Sequence, residues 1–473
     1  MNPPEGGVSR PLVHFPADIW GDFFINLKRI KMEDYAKEIN LLKQETRAKL
    51  VMKMDDNSLG IDKLKLIDTL ERLGVSYHYE EEIEELLQHI FYTYAKDDFC
   101  LVKDDQVDLY TTALQFRVFR QHGFKMPCDV FFKFLDNDGK FKQTLVSDLK
   151  GIISLYEAAH VRIRGERILD EALIFTTQHL KHLTAAANNP DLDRDNSNLH
   201  QPRLMKQVEL ALEYPMHYII PRLEARRFIS IYDEDETKDE ALLRFAKVDF
   251  NMLQLQHQQE LSYLCKWWKD TGLANKLPYI RDRSVEVYFW AAALYFEPQY
   301  SRGRVLVTKA VPLASMLDDT YDAYATFEEL QRLTDAFERW EMNDEDQLSD
   351  YLKVVFNSVR TLFDEFDKEM DPERWPHTAC YARETVMELI RSYFQEAKWL
   401  NAGYVPTFEE YLGNARKSSV LNLITTISFI GMEGVADEMA FIWLQSFPKI
   451  QRSMDSIGRL LDDIRSHEGL SAT

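Results

Sequence analysis

Apolar residues recur at three- and four-residue intervals along most of this chain, and few stretches alternate with period two. That periodicity restricts the chain to packed amphipathic helices. Between residues 21 and 51, Ile30, Tyr35, Ile39, Leu42 and Leu50 fall at helical intervals. Residues 108–124 repeat the pattern and end near Gly123, which suits a helix C-cap. Residues 145–187 and 204–228 read as further helices. The stretch 185–202 reads as a long polar loop, and the acidic run 233–240 as a solvated one. Helical patterns resume from Leu242 and continue nearly to the end. No fixed period repeats, so a solenoid is not expected. The chain should be all-α, with two helical domains at 1–225 and 226–473.

Charge and cysteine usage limit the partners. Lys and Arg number 57 against 78 Asp and Glu, a net charge of −21. An acidic chain of this kind is not built for general nucleic-acid or anionic-membrane binding. No apolar run approaches the roughly 20 residues that span a bilayer. Cys100, Cys128, Cys265 and Cys380 are far apart and form no CxxC pair, so neither a zinc site nor a disulfide framework is indicated. The first fifteen residues have no apolar core of a secretory signal and carry Glu5. A cytoplasmic monomer is expected.

Two segments read DDxxD, and context separates them. Asp104, Asp105 and Asp108 precede a helix, where acids complement the dipole and cap free N–H groups. Asp318, Asp319 and Asp322 instead follow the apolar run 311–317 on what reads as the same helix. Thr326 to Glu329 reads as a capping box opening the next helix. The three acids thus lie at a helix C-terminus, where negative charge opposes the dipole. Asp318 and Asp322 are four residues apart and share a face. Clustered carboxylates suit hard Mg²⁺, which also binds substrate phosphates. From this motif alone, a metal site and a solvated acidic helix end weigh about evenly.

Two further stretches shift that balance. Arg281 and Arg283 flank Asp282 and offer guanidinium forks that match phosphate oxygens. Asp462 and Ser466 are four residues apart on a patterned helix, with Arg459 one turn earlier. Such a pair can bind a second Mg²⁺, and Arg459 can meet a phosphate. Each stretch alone reads as well as ordinary surface.

Together these segments resemble the plant terpene synthase family, class I, sesquiterpene type, of the cadinene or germacrene kind. The resemblance runs through Arg10-Pro11 and Trp20, then 218–232 and 245–270. It continues through 281–290, 318–322, 411–420 and 460–468, in the family's order. The spacing of 37 from Arg281 to Asp318 suits the family. The resemblance implies an N-terminal relic helical domain and a C-terminal metal-binding catalytic domain. It implies Mg²⁺, with Mn²⁺ as a substitute, held by Asp318, Asp322 and the Asp462/Ser466 pair, Asp319 supporting the cluster. Farnesyl diphosphate would be the substrate, met by Arg281 and Arg459, with Arg283 retaining the released diphosphate. Trp290 would face the allylic cation, a core tryptophan being the equal alternative. Ser418 and Ser419 match a helix break beside the pocket. The product would be a sesquiterpene hydrocarbon. No DxDD acid motif stands in the chain, so chemistry should start from diphosphate loss.

The sequence also departs from that family. The third ligand of the second motif should be a Glu at position 470, which here is Leu470. Arg416 and Lys417 stand where small or apolar residues are usual. The family continues through further helices, so a truncated or alternatively spliced form with weak or no cyclisation is expected. Two rivals follow: a chain-elongating prenyltransferase, disfavoured because the second motif is not all-aspartate, and a catalytically dead cyclase derivative that acts by binding partners. No GxxxxGK[ST] or HExxH stands in the chain. His179 and His182 lack a third ligand, and Asp136 to Gly139 reads as a turn rather than a calcium loop.

Overall fold

The computed structural model describes residues 15, 18–27, 33–51, 58–94, 108–189, 197–215, 217–343, 346–369, 378–432 and 434–470. Among these, regular structure is helical apart from one isolated bridge between Leu135 and Phe141. That bridge closes the turn at 136–140. Asp136 Oδ1 accepts from the Asp138 and Lys140 amides at 2.9 and 3.0 Å, and Gly139 takes a φ of 75°. No described helix is long and apolar enough to cross a membrane.

The chain divides into two compact units, residues 31–254 and residues 1–30 with 255–473. The sequence reading cuts at 225/226; the compact units meet later, inside a long helix. Residues 31–254 hold α1 (Glu33–Val51), α2 (Ser58–Arg72), α3 (Glu80–Tyr94), α4 (Leu109–Gln121), α5 (Leu149–Ala159), α6 (Arg167–Asn188), α7 (Pro202–Glu213) and α8 (Pro221–Asp233). Helix α9 (Glu240–Thr271) contains the boundary. The second unit continues with α10 (Leu273–Lys276), α11 (Ser284–Leu294), α12 (Ser301–Ala323), α13 (Phe327–Arg339), α14 (Asp350–Glu369) and α15 (Thr378–Asn401). It ends with α16 (Phe408–Ser418), α17 (Leu421–Gly431), α18 (Glu438–Gln445) and α19 (Lys449–Leu470).

Two expected helices are each split. The one read over 204–228 breaks between α7 and α8, because Pro221 cannot continue a preceding helix but suits the first position of a new one. The one read over 145–187 breaks after α5, where Gly165 takes a φ of 102° before α6 begins. Asp108 caps α4 by accepting from the Thr111 amide at 2.6 Å. That supports the capping reading of the first DDxxD, although Asp104 and Asp105 lie outside the described residues.

Each unit has its own core. Leu64, Ile67, Phe116 and Leu155 are buried in the first. Leu317, Phe337, Phe356 and Ile427 are buried in the second. Helix α12 carries the second DDxxD, and two contacts fix its start. Arg304 is wholly buried and grips Glu260 of α9 through Nε and Nη2 at 2.9 and 2.8 Å. Glu260 also accepts from Tyr288 and Ser301 hydroxyls. Gly303 meets Gly431 of α17 backbone to backbone, with no room for a β-carbon at position 431. On the outside, α19 exposes Ile450, Met454, Ile457, Leu461 and Ile464, spaced alternately four and three residues apart.

Candidate active site

The acids of α12 occupy its last two turns, and the next helix opens with the expected capping box. Thr326 Oγ1 accepts from the Glu329 amide, and Glu329 reaches back to the Thr326 amide. The segment before α11 is pinned against this helix end. Tyr279 stacks on Tyr324 with centroids 3.8 Å apart, and its hydroxyl meets Thr320 Oγ1 at 3.0 Å. This delivers Arg281 to the acids. Its backbone amide donates to Asp319 Oδ2 at 2.8 Å and its Nη2 donates to Asp318 Oδ2. Its Nε lies 2.9 Å from Asp319 Oδ1 as an ion pair, without hydrogen-bond alignment. The Phe15 ring lies 5.2 Å from the Arg281 guanidinium carbon.

Asp318 and Asp319 therefore both hold Arg281, and Asp322 lies one turn beyond Asp318 on the same helix. Burial, then Asp318 and Glu396, push the Asp322 carboxyl up to about 7. Burial also raises Asp319 to about 6 and raises Asp318 despite Arg281 and Arg459 nearby.

Helix α19 brings the second motif into the same field. Asp318 feels both Arg459 and Asp462. Arg459 spans Asp462 (Nη2 at 2.9 Å) and Asp463 (Nε at 2.8 Å). Tyr411 donates to Asp463 at 2.6 Å, so Asp463 steadies the helix while Asp462 stays exposed. Ser466 Oγ donates back to the Asp462 carbonyl at 2.9 Å. The structure thus gathers Arg281, Asp318, Asp322, Arg459 and Asp462 around one site. Arg283 sits at the start of α11, where its Nη1 donates to the Asp282 carbonyl at 2.7 Å. Trp290 is 57 % exposed, alongside Phe289 and Leu294, so it is not a core tryptophan. Ser418 and Ser419 close α16 just before a real break, in which Val420 takes a φ of 63° ahead of α17.

Two residues of the site escaped the sequence reading. Glu396 of α15 accepts from Ser418 Oγ at 2.7 Å and Asn414 Nδ2 at 3.0 Å. Burial raises its pKa, and it acts on Asp322. Tyr393, buried one turn earlier, feels Asp318, Asp322 and Glu396. Their signal was an acid on a buried stripe: Leu389, Tyr393 and Glu396 share one face of α15.

The donor set fits a hard divalent cation. Three crowded carboxylates, each pushed toward protonation, are relieved by such a charge. Asp318 and Asp322 on one side, and Asp462 with Ser466 on the other, would hold it. Among the described residues no group of three or more acids, histidines or cysteines is already set as a cage. Mg²⁺ does not need one, since it keeps waters and takes one or two carboxylates with substrate phosphates.

Known proteins resemble this chain along most of its length. Residues 269–472 match the profile of the terpene synthase family metal binding domain, and residues 19–212 that of the terpene synthase N-terminal domain. Germacrene A synthase of Lavandula pedunculata subsp. lusitanica is 46% identical over 98% of this chain and 81% of its own length. The chloroplastic casbene synthase of Ricinus communis is 44% identical over 97% of this chain and 73% of its own. A crystal structure of isoprene synthase from grey poplar leaves (Populus x canescens), with three Mg²⁺ ions and dimethylallyl-S-thiolodiphosphate, superposes with a TM-score of 0.81. It is 34% identical and covers 93% of this chain and 80% of its own. The chain belongs to the terpene synthase family, whose members are lyases.

Proposed function

We propose that this chain is a Mg²⁺-dependent sesquiterpene synthase that ionises farnesyl diphosphate and cyclises the allylic cation to a hydrocarbon. The observation that carries the reading is the convergence of Arg281, Asp318, Asp322, Arg459 and Asp462 on one site. The germacrene A synthase relatives favour a fifteen-carbon substrate, although casbene and isoprene synthases share the fold.

Bound Mg²⁺ would neutralise the diphosphate oxygens and lower the barrier to their departure. Arg281 and Arg459 present guanidiniums to the diphosphate. Asp319 keeps Arg281 in place through its backbone amide. The allylic C–O bond breaks with its electron pair leaving on diphosphate, and the two arginines stabilise that charge. Transfer of a proton from the cyclised cation to the released diphosphate then gives the hydrocarbon. Arg283 helps retain the anion, and Trp290 offers a π face to the cation, an attraction of about 2 kcal/mol or more when desolvated.

A second reading, a catalytically silent chain, is favoured by Leu470 standing where the second motif expects a carboxylate. One assay separates the two. Purified chain with farnesyl diphosphate and Mg²⁺ is followed by diphosphate release and gas chromatography. The synthase reading expects hydrocarbon, with release falling roughly 100-fold or more in Asp318→Ala. No release from farnesyl, geranyl or geranylgeranyl diphosphate supports the silent chain.

A further inference from the structure

Helix α19 has two unlike sides. Its inner side is pinned to α16 and α17. Gln451 accepts from Thr425 at 3.2 Å, Asp455 from Ser419 at 3.3 Å and Asp463 from Tyr411 at 2.6 Å, while Arg416 donates to Ser456 at 2.7 Å. Asp462 and Ser466 follow Asp455 by two and three helical turns and share its side. The outer side carries Ile450, Met454, Ile457, Leu461 and Ile464, with Leu460 beside them. Ile450, Ile457, Leu461 and Ile464 are each between 58 and 67 % exposed.

Alternate steps of four and three residues average 3.5, the period of a helix-pairing seam and narrower than the face a helix turns to a broad core. The seam therefore suits another helix with the same repeat, and α19 itself has it. Turned antiparallel, a second α19 sets Ile450 against the copy's Leu461 and Met454 against the copy's Ile457, then the same pairs in reverse order. All four layers are apolar on both sides. A parallel pair would stack Lys449 and Arg452 beside their own copies; the antiparallel pair separates these like charges and opposes the two helix dipoles. The six apolar residues leave roughly 600 Å² a copy in water, so a pair covers about 1,200 Å², the lower edge of a stable specific interface. Such contact uses one patch on both copies and closes at two.

We propose that the outer side of α19 is a self-recognition surface, on which a second copy of this chain docks antiparallel through Ile450, Met454, Ile457 and Leu461. The pairing leaves the side that bears Asp462 and Ser466 free, so it stands apart from the reading of that site. Its test is sedimentation velocity of the full chain over a range of concentrations. A two-copy species should grow with concentration. Ile457→Lys puts a charge into the seam of both copies and should weaken the pair roughly 100-fold or more, with unchanged helical circular dichroism. Leu461→Lys should act the same way. Under oxidation, a mixture of Ile450→Cys and Leu461→Cys chains should form a disulfide-linked pair beyond the parent's level, and Ile450→Cys chains alone should not. The cysteine mixture decides even where a lysine variant fails to fold. The mass of one chain at every concentration overturns the proposal, as does a pair that both lysine variants leave intact. Growth past two copies, or cross-linking of Ile450→Cys chains with one another, equally overturns it.

Discussion

Asp455 has no access to solvent, and it is the clearest unresolved charge in the second unit. Its Oδ1 accepts from Gln451 at 2.8 Å and Ser419 at 3.3 Å, while its Oδ2 has no partner. Burial pushes its pKa up to about 6. The folded chain then keeps a proton that the unfolded chain releases near pH 4. Stability therefore falls as pH rises from about 4 to about 6, and the penalty persists above that range. Two pK units correspond to about 3 kcal/mol. Asp455→Asn is expected to raise the thermal midpoint at neutral pH and to change it little near pH 4. An equal effect at both pH values would refute this charge assignment. At this scale the sequence was legible where charge broke a local rule. Asp318 and Asp322 stood out because acids at a helix C-terminus are costly. Glu396 and Asp455 did not, since their burial is imposed by helices distant in sequence.

The junctions between elements carry the next level of control. Helices α12 and α17 cross at Gly303 and Gly431, and a β-carbon at position 431 would overlap the Gly303 backbone. Gly431→Ala should cost about 1–3 kcal/mol or more, as overpacking does. Urea titration of the variant checks it, and a midpoint equal to the parent's would contradict the crossing. The capping box at Thr326 is a gentler probe. Thr326→Ala should cost about 1 kcal/mol. It should also loosen the end of α12, seen as faster amide exchange at 318–323. Helix existence was readable from periodicity, and so was this cap. Helix length was not: apolar intervals ran on through Pro221 and Gly165, where backbone constraints end the helix.

For the molecule as a whole, the described residues bury their apolar side chains in separate clusters, and local pattern reports poorly on which residue joins which. Residues 18–27 group with residues far along the chain. Lys269 Nζ meets Asp22 at 2.8 Å, and Trp20 Nε1 donates to Glu286 at 3.4 Å. No periodicity can announce a contact across some 250 positions. The apolar stripe of α19 gives a measurable property at this scale. Contiguous exposed apolar surface of this sort favours association. Ile457→Lys with Leu461→Lys should lower the fluorescence of a bound hydrophobic dye and raise soluble yield. Unchanged dye binding would show that the stripe is not what the dye finds.

Arg281 has one further implication. The guanidinium that would greet an incoming anion already clasps Asp318. At rest, then, this acid cluster, in a chain carrying a net charge of −21, is partly self-quenched. A guest must loosen this clasp, so entry and disarming of the acids become a single event, and an empty site is muted toward stray cations.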